Sequence, residues 1–444
     1  MKKSDTILRI LKYVHLLLIT ALFYVTWLWF RYGALTGIDR YGFRYNYFVA
    51  ALFALIFFPF ARTYNAYMVG ARRIRNLVFA QSLAEFFALA IVYFGTAIAW
   101  NQWHDPLVFL ALLIVFAAVN IGWSYLASDI YFKYNPPEKA VIIGATGDDF
   151  RQFAEIYDFP FTRQYSVDKC IENPADAGTL LEAVKGYGSV FSSGLNPELR
   201  DVLVKYCAET GTKGYFIPTV GDILLAGSYH MQNFSSPVMF LTRKQPRPEY
   251  LILKRAFDIA ASLCGIIILS PFMLITALAI KMYDGGPVIY SHIRLTKNGK
   301  PFRIYKFRSM RVDAEADGRA RLSTENDDRI TPVGKFIRSC RFDELPQLFN
   351  ILKGDMTIVG PRPERPELAA EIEKTLPEFP LRLQVTAGLT GYAQIYGKYC
   401  TEPREKLLFD LLYMNNMNIV TDLQLMFATV ATLFDKESTH GVAR

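Results

Sequence analysis

Four apolar runs, at residues 10–30, 46–60, 79–100 and 107–128, fill most of the first 135 residues of this 444-residue chain. A helix rises 1.5 Å per residue, so about 20 apolar residues cross the ~30 Å hydrocarbon core of a bilayer. Three of the runs reach that length and 46–60 is marginal, so the pattern predicts a membrane bundle of four spanning helices over 1–135. Between 136 and 245 the pattern shortens. Ala140–Ile143, Ser189–Phe191 and Gly214–Pro218 read as strands, with a helix near 197–209, and this alternation predicts a small parallel, Rossmann-like α/β domain. Arg243-Lys-Gln-Pro-Arg-Pro reads as a linker. A fifth apolar run at 256–282 follows it, and the mostly helical, basic remainder completes a third region, 246–444.

Ser270-Pro271 sits at the centre of the fifth run. Proline inside a helix removes a backbone hydrogen bond and clashes with the preceding turn, so a kink or break is expected there. Two topologies fit: a kinked fifth span, or a helix that dips into the bilayer and returns on the same side, with Lys254 and Arg255 at the headgroup level.

Composition sharpens this picture. The chain is 52% hydrophobic and 15% aromatic, and its mean hydropathy is +0.17. The net charge of +8 is placed for a membrane and not for nucleic acid. Lys2, Lys3, Arg9 and Lys12 precede the first run; Arg62, Arg72, Arg73 and Arg75 lie between the second and third; Lys133 and Lys139 follow the fourth. The positive-inside rule then puts both ends of the bundle in the cytoplasm, with Arg31, Arg40 and Arg44 opposing. The first run outlasts the short apolar core of a signal peptide, so no cleavable leader is expected. Five cysteines without paired spacing predict free thiols, and the histidines show no metal spacing.

The middle region carries a partial phosphate-binding turn, Ile143-Gly144-Ala-Thr-Gly147. The third glycine of a dinucleotide fingerprint would fall at Asp149, whose charge repels a pyrophosphate. Tyr165-x-x-x-Lys169 spells a dehydrogenase-like pair but follows the glycine turn too closely. A cofactor-free domain without NAD is expected.

The chemistry concentrates further on. Leu345, Leu348, Phe349 and Leu352 repeat as an amphipathic helix, with Asp343 and Glu344 at its N-terminus and Pro346 in its first turn. A helix N-terminus seats phosphate, and adjacent side chains diverge by about 100°, so one carboxylate can face phosphorus while its neighbour holds Mg²⁺. The same residues also suit simple helix capping. Gly360-Pro361-Arg362-Pro363 fixes the backbone around Arg362, and a rigid guanidinium suits bidentate phosphate pairing. In the strand pattern Phe302–Met310, Lys306 and Arg308 share a face. The charge-rich stretch 311–330 reads as a loop near the site, and Leu407–Leu412 and Leu423–Leu433 as amphipathic helices.

Residues 250–440 closely resemble the bacterial sugar transferases, the monotopic phosphoglycosyl transferases. The resemblance rests on Lys254-Arg255-x-x-Asp258, Ser270-Pro271, Gly299-Lys-Pro-Phe302, Tyr305-Lys-Phe-Arg-Ser-Met310, Asp328-Arg-Ile-Thr331-Pro-Val-Gly334, Asp343-Glu-Leu-Pro-Gln347, Lys353-Gly-Asp-Met356 and Gly360-Pro-Arg-Pro363. Residues 1–245 look, more loosely, like the N-terminal half of the large polyprenyl-phosphate hexose-1-phosphate transferases. The resemblance implies a catalytic domain at 246–444 with a re-entrant helix over about 252–282, in the bacterial inner membrane with its site on the cytoplasmic face. Asp343 would attack the β-phosphate of a UDP-sugar and release UMP. Undecaprenyl phosphate would then take the phosphosugar from the aspartyl intermediate. Glu344 matches the family's metal-associated carboxylate, for Mg²⁺ with Mn²⁺ as an alternative. Arg338 and Arg362 match its phosphate-holding arginines, and Lys306 and Arg308 lie in its basic block.

The resemblance further implies a first membrane step of exopolysaccharide, capsule or O-antigen synthesis, with glucose or galactose as the expected sugar; four spans and a cofactor-free domain that need some use suggest a homodimer. Two departures lie near the site: Arg341-Phe342, where a small and an aliphatic residue are usual, and Arg294-Leu-Thr-Lys297, which lacks an earlier glycine. Three other readings compete: direct transfer in a ternary complex, a non-catalytic scaffold of a polysaccharide assembly complex, and an NAD-dependent nucleotide-sugar dehydratase.

Overall fold

The computed structural model describes residues 3–34, 44–101, 103, 105–144, 161–172, 174–231, 238–243, 246–312, 314, 327, 329–397 and 402–433. Two compact units make up the chain, Met1–Ile217 and Pro218–Arg444.

The first unit opens with α1 (Lys3–Ala34), α2 (Arg44–Thr63), α3 (Ile74–Trp100) and α4 (Pro106–Tyr134), which contain the four apolar runs. All four are long and apolar enough to cross a membrane, as is one helix of the second unit. Their exterior differs from that of a water-soluble bundle. Leu17, Trp29, Leu55, Ile98 and Ile114 are exposed, while His15, Glu85 and Asn120 are fully buried. His15 Nε2 lies 3.0 Å from Asn120 Oδ1, and Asn120 Nδ2 donates to Glu85 Oε2 at 2.9 Å. Trp27 Nε1 donates to Asn46 Oδ1 at 3.2 Å. An apolar exterior around interior polar ties is what packing in lipid selects, because tails offer helices no hydrophobic gain on association.

A four-stranded sheet follows: β1 (Glu138–Gly144), β2 (Tyr165–Glu172), β3 (Ser189–Ser192) and β4 (Lys213–Phe216), all parallel in the order β2-β1-β3-β4. The crossover helices α5 (Ala177–Val184) and α6 (Pro197–Thr210) bury Leu180, Val184 and Leu203 against Val141, Ile143 and Val190. The parallel α/β expectation therefore holds. Gly144 ends β1, while Gly147 and Asp149 lie outside the described residues. Tyr165 is buried in edge strand β2 with its hydroxyl 2.9 Å from that of Tyr215, so it serves sheet packing.

The second unit begins earlier than the predicted linker. In α7 (Val220–Ala226), Ile223 is buried in the same core as Phe302, Ile351, Leu407 and Tyr413, and Asn415 Nδ2 donates to its carbonyl at 2.6 Å. After the β5–β6 hairpin (Tyr229–Met231, Val238–Phe240) comes α8 (Pro248–Asp284). No break appears at Ser270-Pro271: α8 is one continuous helix. Pro271 cannot donate to the Ile267 carbonyl four residues back, and the Ser270 hydroxyl donates to it instead at 2.8 Å. A serine beside an intramembrane proline restores the lost partner in this way.

Both ends of α8 are held by the same unit. Near its start, Lys254 reaches Asp422 and Asp258 reaches Thr357. Gly265 lies against Leu348. Beyond the proline, Phe272 meets Phe342, and Met273, Ala277 and Ile280 pack with Phe307 and Ile337. The opposite face, including Ile267, Ile268, Leu274, Ile275 and Met282, is apolar and exposed. The remaining framework is the antiparallel ribbon β7 (Ile289–Leu295) and β8 (Pro301–Phe307), the parallel pair β9 (Thr357–Val359) and β10 (Gly388–Thr390), and the C-terminal helices.

Candidate active site

Local sequence explains how the acidic pair is presented. Thr331 caps α9 (Pro332–Ser339) by accepting the Gly334 amide at 2.9 Å, with Pro332 preorganised at the first helical position. The helix ends at Cys340, and Arg341 reverses the chain in the left-handed region at φ 55°. That conformation costs a non-glycine residue on the order of 1 kcal/mol or more. The turn delivers Phe342–Glu344 as a single turn of 3₁₀ helix. Pro346 and α10 (Gln347–Lys353) follow, and Gly354 stops that helix at φ 95°. The two carboxylates thus stand in their own turn just ahead of α10, and Pro346, predicted in the first turn, precedes Gln347 at the helix start. Of the predicted apolar face, Leu348 packs on the core while Phe349 is exposed.

Five of the six predicted chemical-site residues meet here, Asp343 and Glu344 on the turn with Lys306, Arg338 and Arg362 around it. Glu344 Oε1 accepts from Lys306 Nζ at 2.8 Å and from Arg362 Nη2 at 2.9 Å. Burial pushes the Glu344 carboxyl up, but the Arg362 and Lys306 charges overcome it and hold the group well below the usual carboxylate range. The Glu344 charge in turn raises Arg362. Asp343 is driven the other way. Burial raises its pKa, which Lys306, Arg338 and Arg362 oppose and the Glu344 charge reinforces. Arg338 Nη1 and Gln347 Nε2 are buried without a hydrogen-bond partner among the described residues. Buried donors left unpaired cost about 1–3 kcal/mol each, which an incoming anion would relieve.

Arg308 is not part of this convergence. It lies just past the end of β8 and pairs with Asp284 at the end of α8. Lys254 and Arg255 also differ from expectation. Lys254 is 9% exposed and donates to Asp422 Oδ2 at 2.7 Å and to the Val359 carbonyl at 2.9 Å. Arg255 donates to the Ile351 and Leu352 carbonyls, at 2.6 and 2.7 Å, near the C-terminal end of α10. Both cations turn into the protein, because backbone carbonyls and a buried carboxylate outcompete a headgroup for them. Of the predicted mobile segment 311–330, most lies outside the described residues.

The seat of Arg362 is built from residues scattered through the sequence. Asp258 accepts from Thr357 Oγ1 at 2.7 Å and from the Ile358 amide at 3.0 Å, fixing β9 onto α8. Beyond β9, Gly360 and Gly388 pass so closely that a Cβ at Gly388 would overlap the Gly360 backbone. Arg382 Nη2 donates to the Arg362 carbonyl at 2.9 Å, and its Nε donates to Asp410 at 2.8 Å. Arg294 Nη1 donates to the Pro363 carbonyl at 3.0 Å. Sequence reasoning missed Arg382, Asp410 and the supporting role of Arg294. Each is a lone charge tens of residues from its partner, with no periodic signal.

Among the described residues no three His, Cys, Asp or Glu side chains group as a metal cage. Mg²⁺ needs no such cage, since it commonly takes one or two carboxylates and completes its shell with water and substrate phosphates. Asp343 and Glu344 fit that donor chemistry, although Glu344 Oε1 is shared with two cations.

Comparison with known proteins points to one family. The family model described as bacterial sugar transferase matches residues 249–436. The exopolysaccharide production protein PSS of Rhizobium leguminosarum bv. phaseoli is 41% identical over 200 residues, 43% of this chain and 98% of the relative. The UDP-N-acetylgalactosamine-undecaprenyl-phosphate N-acetylgalactosaminephosphotransferase of Aeromonas hydrophila is 40% identical over 191 residues, 42% of this chain and 45% of the relative. The UDP-glucose:undecaprenyl-phosphate glucose-1-phosphate transferase of Escherichia coli (strain K12) is 35% identical over 243 residues, 54% of this chain and 52% of the relative. The match therefore spans about half the length of these last two relatives. A family model over residues 249–436 and a relative matched almost end to end identify the chain as a member of the bacterial sugar transferase family.

Proposed function

We propose that this protein transfers a sugar-1-phosphate from a UDP-sugar to undecaprenyl phosphate at the inner membrane, with its site on the cytoplasmic face. The observation that carries the reading is Asp343, half-buried beside Lys306, Arg338 and Arg362 and next to Phe342, which meets α8. An Asp343 carboxylate oxygen attacks the β-phosphorus of the donor. The phosphorus–oxygen bond to UMP breaks, and UMP leaves with the bonding pair. An oxygen of undecaprenyl phosphate then attacks the same phosphorus and frees Asp343, giving the polyprenyl-diphosphate sugar. Exchange between two phosphates asks mainly for positioning and charge neutralisation. A covalent intermediate lets a soluble donor and a lipid acceptor use one site in turn. Mg²⁺ held by Glu344 would neutralise charge on the diphosphate. The names of the relatives support glucose, galactose or N-acetylgalactosamine as the transferred sugar.

Re-entry of α8 belongs to the same reading. From Gly265 to Phe272, the neighbours in α8 with recorded partners, six residues intervene. Six helical residues cover about 9 Å, far short of the ~30 Å of a bilayer core. That short gap supports a reading in which both ends stay on one side and the exposed apolar face dips into one leaflet.

The test incubates the detergent-solubilised protein with undecaprenyl phosphate, Mg²⁺ and each of several UDP-sugars, and follows UMP. Release with one donor, stopped by EDTA and absent in Asp343→Asn, is expected. Donor alone should leave a phosphosugar adduct on Asp343, visible by mass. UMP released only when both substrates are present would point to direct transfer, and no UMP with any sugar would sink the transferase reading.

A further inference from the structure

The strands beside the acidic pair hold a histidine with no part in the chemistry above. Along β7 the alternation turns Tyr290, His292 and Arg294 to one face, with Ile289 and Ile293 exposed on the other. Cross-strand register sets Tyr290 opposite Lys306, so this face continues into the cation that binds Glu344. The Tyr290 and His292 rings lie 5.2 Å apart. Arg294 Nε donates to His292 Nε2 at 2.6 Å. A guanidinium has no lone pair to offer, so Nε2 must be the acceptor and the ring proton must sit on Nδ1. That Nδ1 is buried and has no hydrogen-bond partner among the described residues.

His292 is also kept neutral. Burial lowers its pKa to about 3, with Arg294, Arg365, Lys306 and Arg362 adding to the effect. Two of those cations, Lys306 and Arg362, are bound to Glu344. The ring is therefore a directional N–H donor set among positive charges next to the reacting carboxylates. An anion is the ligand such a setting lacks. A buried donor without a partner is costly, and a phosphate oxygen removes that cost without requiring another charge from the protein.

We propose that His292 binds the nucleotide-sugar donor through its Nδ1–H, donating to an oxygen of the diphosphate, while Arg294 fixes the ring's tautomer and orientation. The proposal rests on the transferase reading and adds a donor-binding residue to it. Its specific content is that the two ring nitrogens have different duties: Nε2 faces the protein and Nδ1 faces the donor.

Two amides separate those duties. Asparagine can place its NH₂ where Nδ1 stands but cannot reach Arg294; glutamine reaches the Nε2 position but leaves Nδ1 unreplaced. The full chain is compared as wild type, His292→Asn, His292→Gln and His292→Ala. UMP release is measured at varied UDP-sugar and, separately, at varied undecaprenyl phosphate. Loss of one charge-assisted hydrogen bond corresponds to roughly a tenfold change. The donor KM should rise about tenfold in the Ala and Gln variants and stay within about threefold in Asn, with the acceptor KM unchanged in all. Equal donor KM in every variant, rescue by Gln in place of Asn, or a rise in the acceptor KM would overturn the proposal. If the Ala variant fails to fold, the Asn–Gln contrast still decides. Wild-type UMP release tests the transferase reading itself. Calorimetric binding of UDP reads His292 whether or not turnover occurs, and there the same ranking is expected.

Discussion

At the scale of single residues, Asp343 and Glu344 show one environment driving two neighbouring carboxylates in opposite directions. Glu344 is lowered by Arg362 and Lys306 against its burial, whereas Asp343 is raised, mainly by burial. A poorly solvated carboxylate that still ionises is a better nucleophile than one held low by direct ion pairs. The signs have separate consequences for acidification. Glu344 contributes stability above its unfolded value of about 4.3, and this is lost only as pH falls through its lower folded value. Asp343 binds its proton more tightly in the folded state, so protonating it on acidification does not oppose folding but would remove the proposed nucleophile. Activity should therefore disappear at a higher pH than structure does. Parallel profiles of UMP release and thermal melting check this. An acid limb at or below the ordinary aspartate value of about 3.9 would contradict a raised Asp343.

At the scale of elements, the seat of Arg362 depends on two strands meeting without side chains between them. Gly360 donates to the Thr390 carbonyl and Gly388 to that of Pro361, each at 2.8 Å. A methyl group at Gly388 has no room against the Gly360 backbone. The strands would separate, and Arg362 would shift relative to Glu344. Misplacing a positioning group by about 1 Å can cost on the order of 10²-fold in rate. Gly388→Ala should lose about that much UMP release while the far-ultraviolet circular dichroism is retained; near-wild-type activity would show that the seat adapts. The sequence displayed this region unevenly. The apolar runs, the parallel α/β alternation and the acidic pair were legible because each leaves a local or periodic mark. The seat was legible only at Gly360-Pro361-Arg362-Pro363, since Asp258, Arg382, Asp410 and Gly388 reach it from distant parts of the chain. Lys254, Arg255 and Arg308 were misplaced for a related reason. A cation's partner is decided by tertiary contact, and Asp422, the Ile351 and Leu352 carbonyls and Asp284 have no signature beside them.

At the scale of the whole molecule, the unit Pro218–Arg444 holds every residue assigned to the chemistry. The Rhizobium relative is matched over 98% of its length by 200 residues, 43% of this chain, which leaves that relative no length for a counterpart of the first unit. A chain starting at Pro218 should insert through α8 and retain UMP release within about tenfold of the full chain, a loss that would equal roughly 1.4 kcal/mol. Complete inactivity of a folded, membrane-bound chain of this kind would show that the first unit contributes to the reaction itself.

The contact between Phe272 of α8 and Phe342, the residue before Asp343, has a consequence for how the enzyme meters its substrates. In the proposed reaction a nucleophile beside a helix that dips into one leaflet would meet its acceptor within a two-dimensional film and its donor from a three-dimensional solution. Its two substrates are then counted in different units, molecules per area for one and per volume for the other. Diluting the acceptor with inert phospholipid would slow the second step even when the total amount of every reactant in the vessel is constant. Output would follow the crowding of a single leaflet, so the membrane's own composition would act as a throttle on the pathway it feeds.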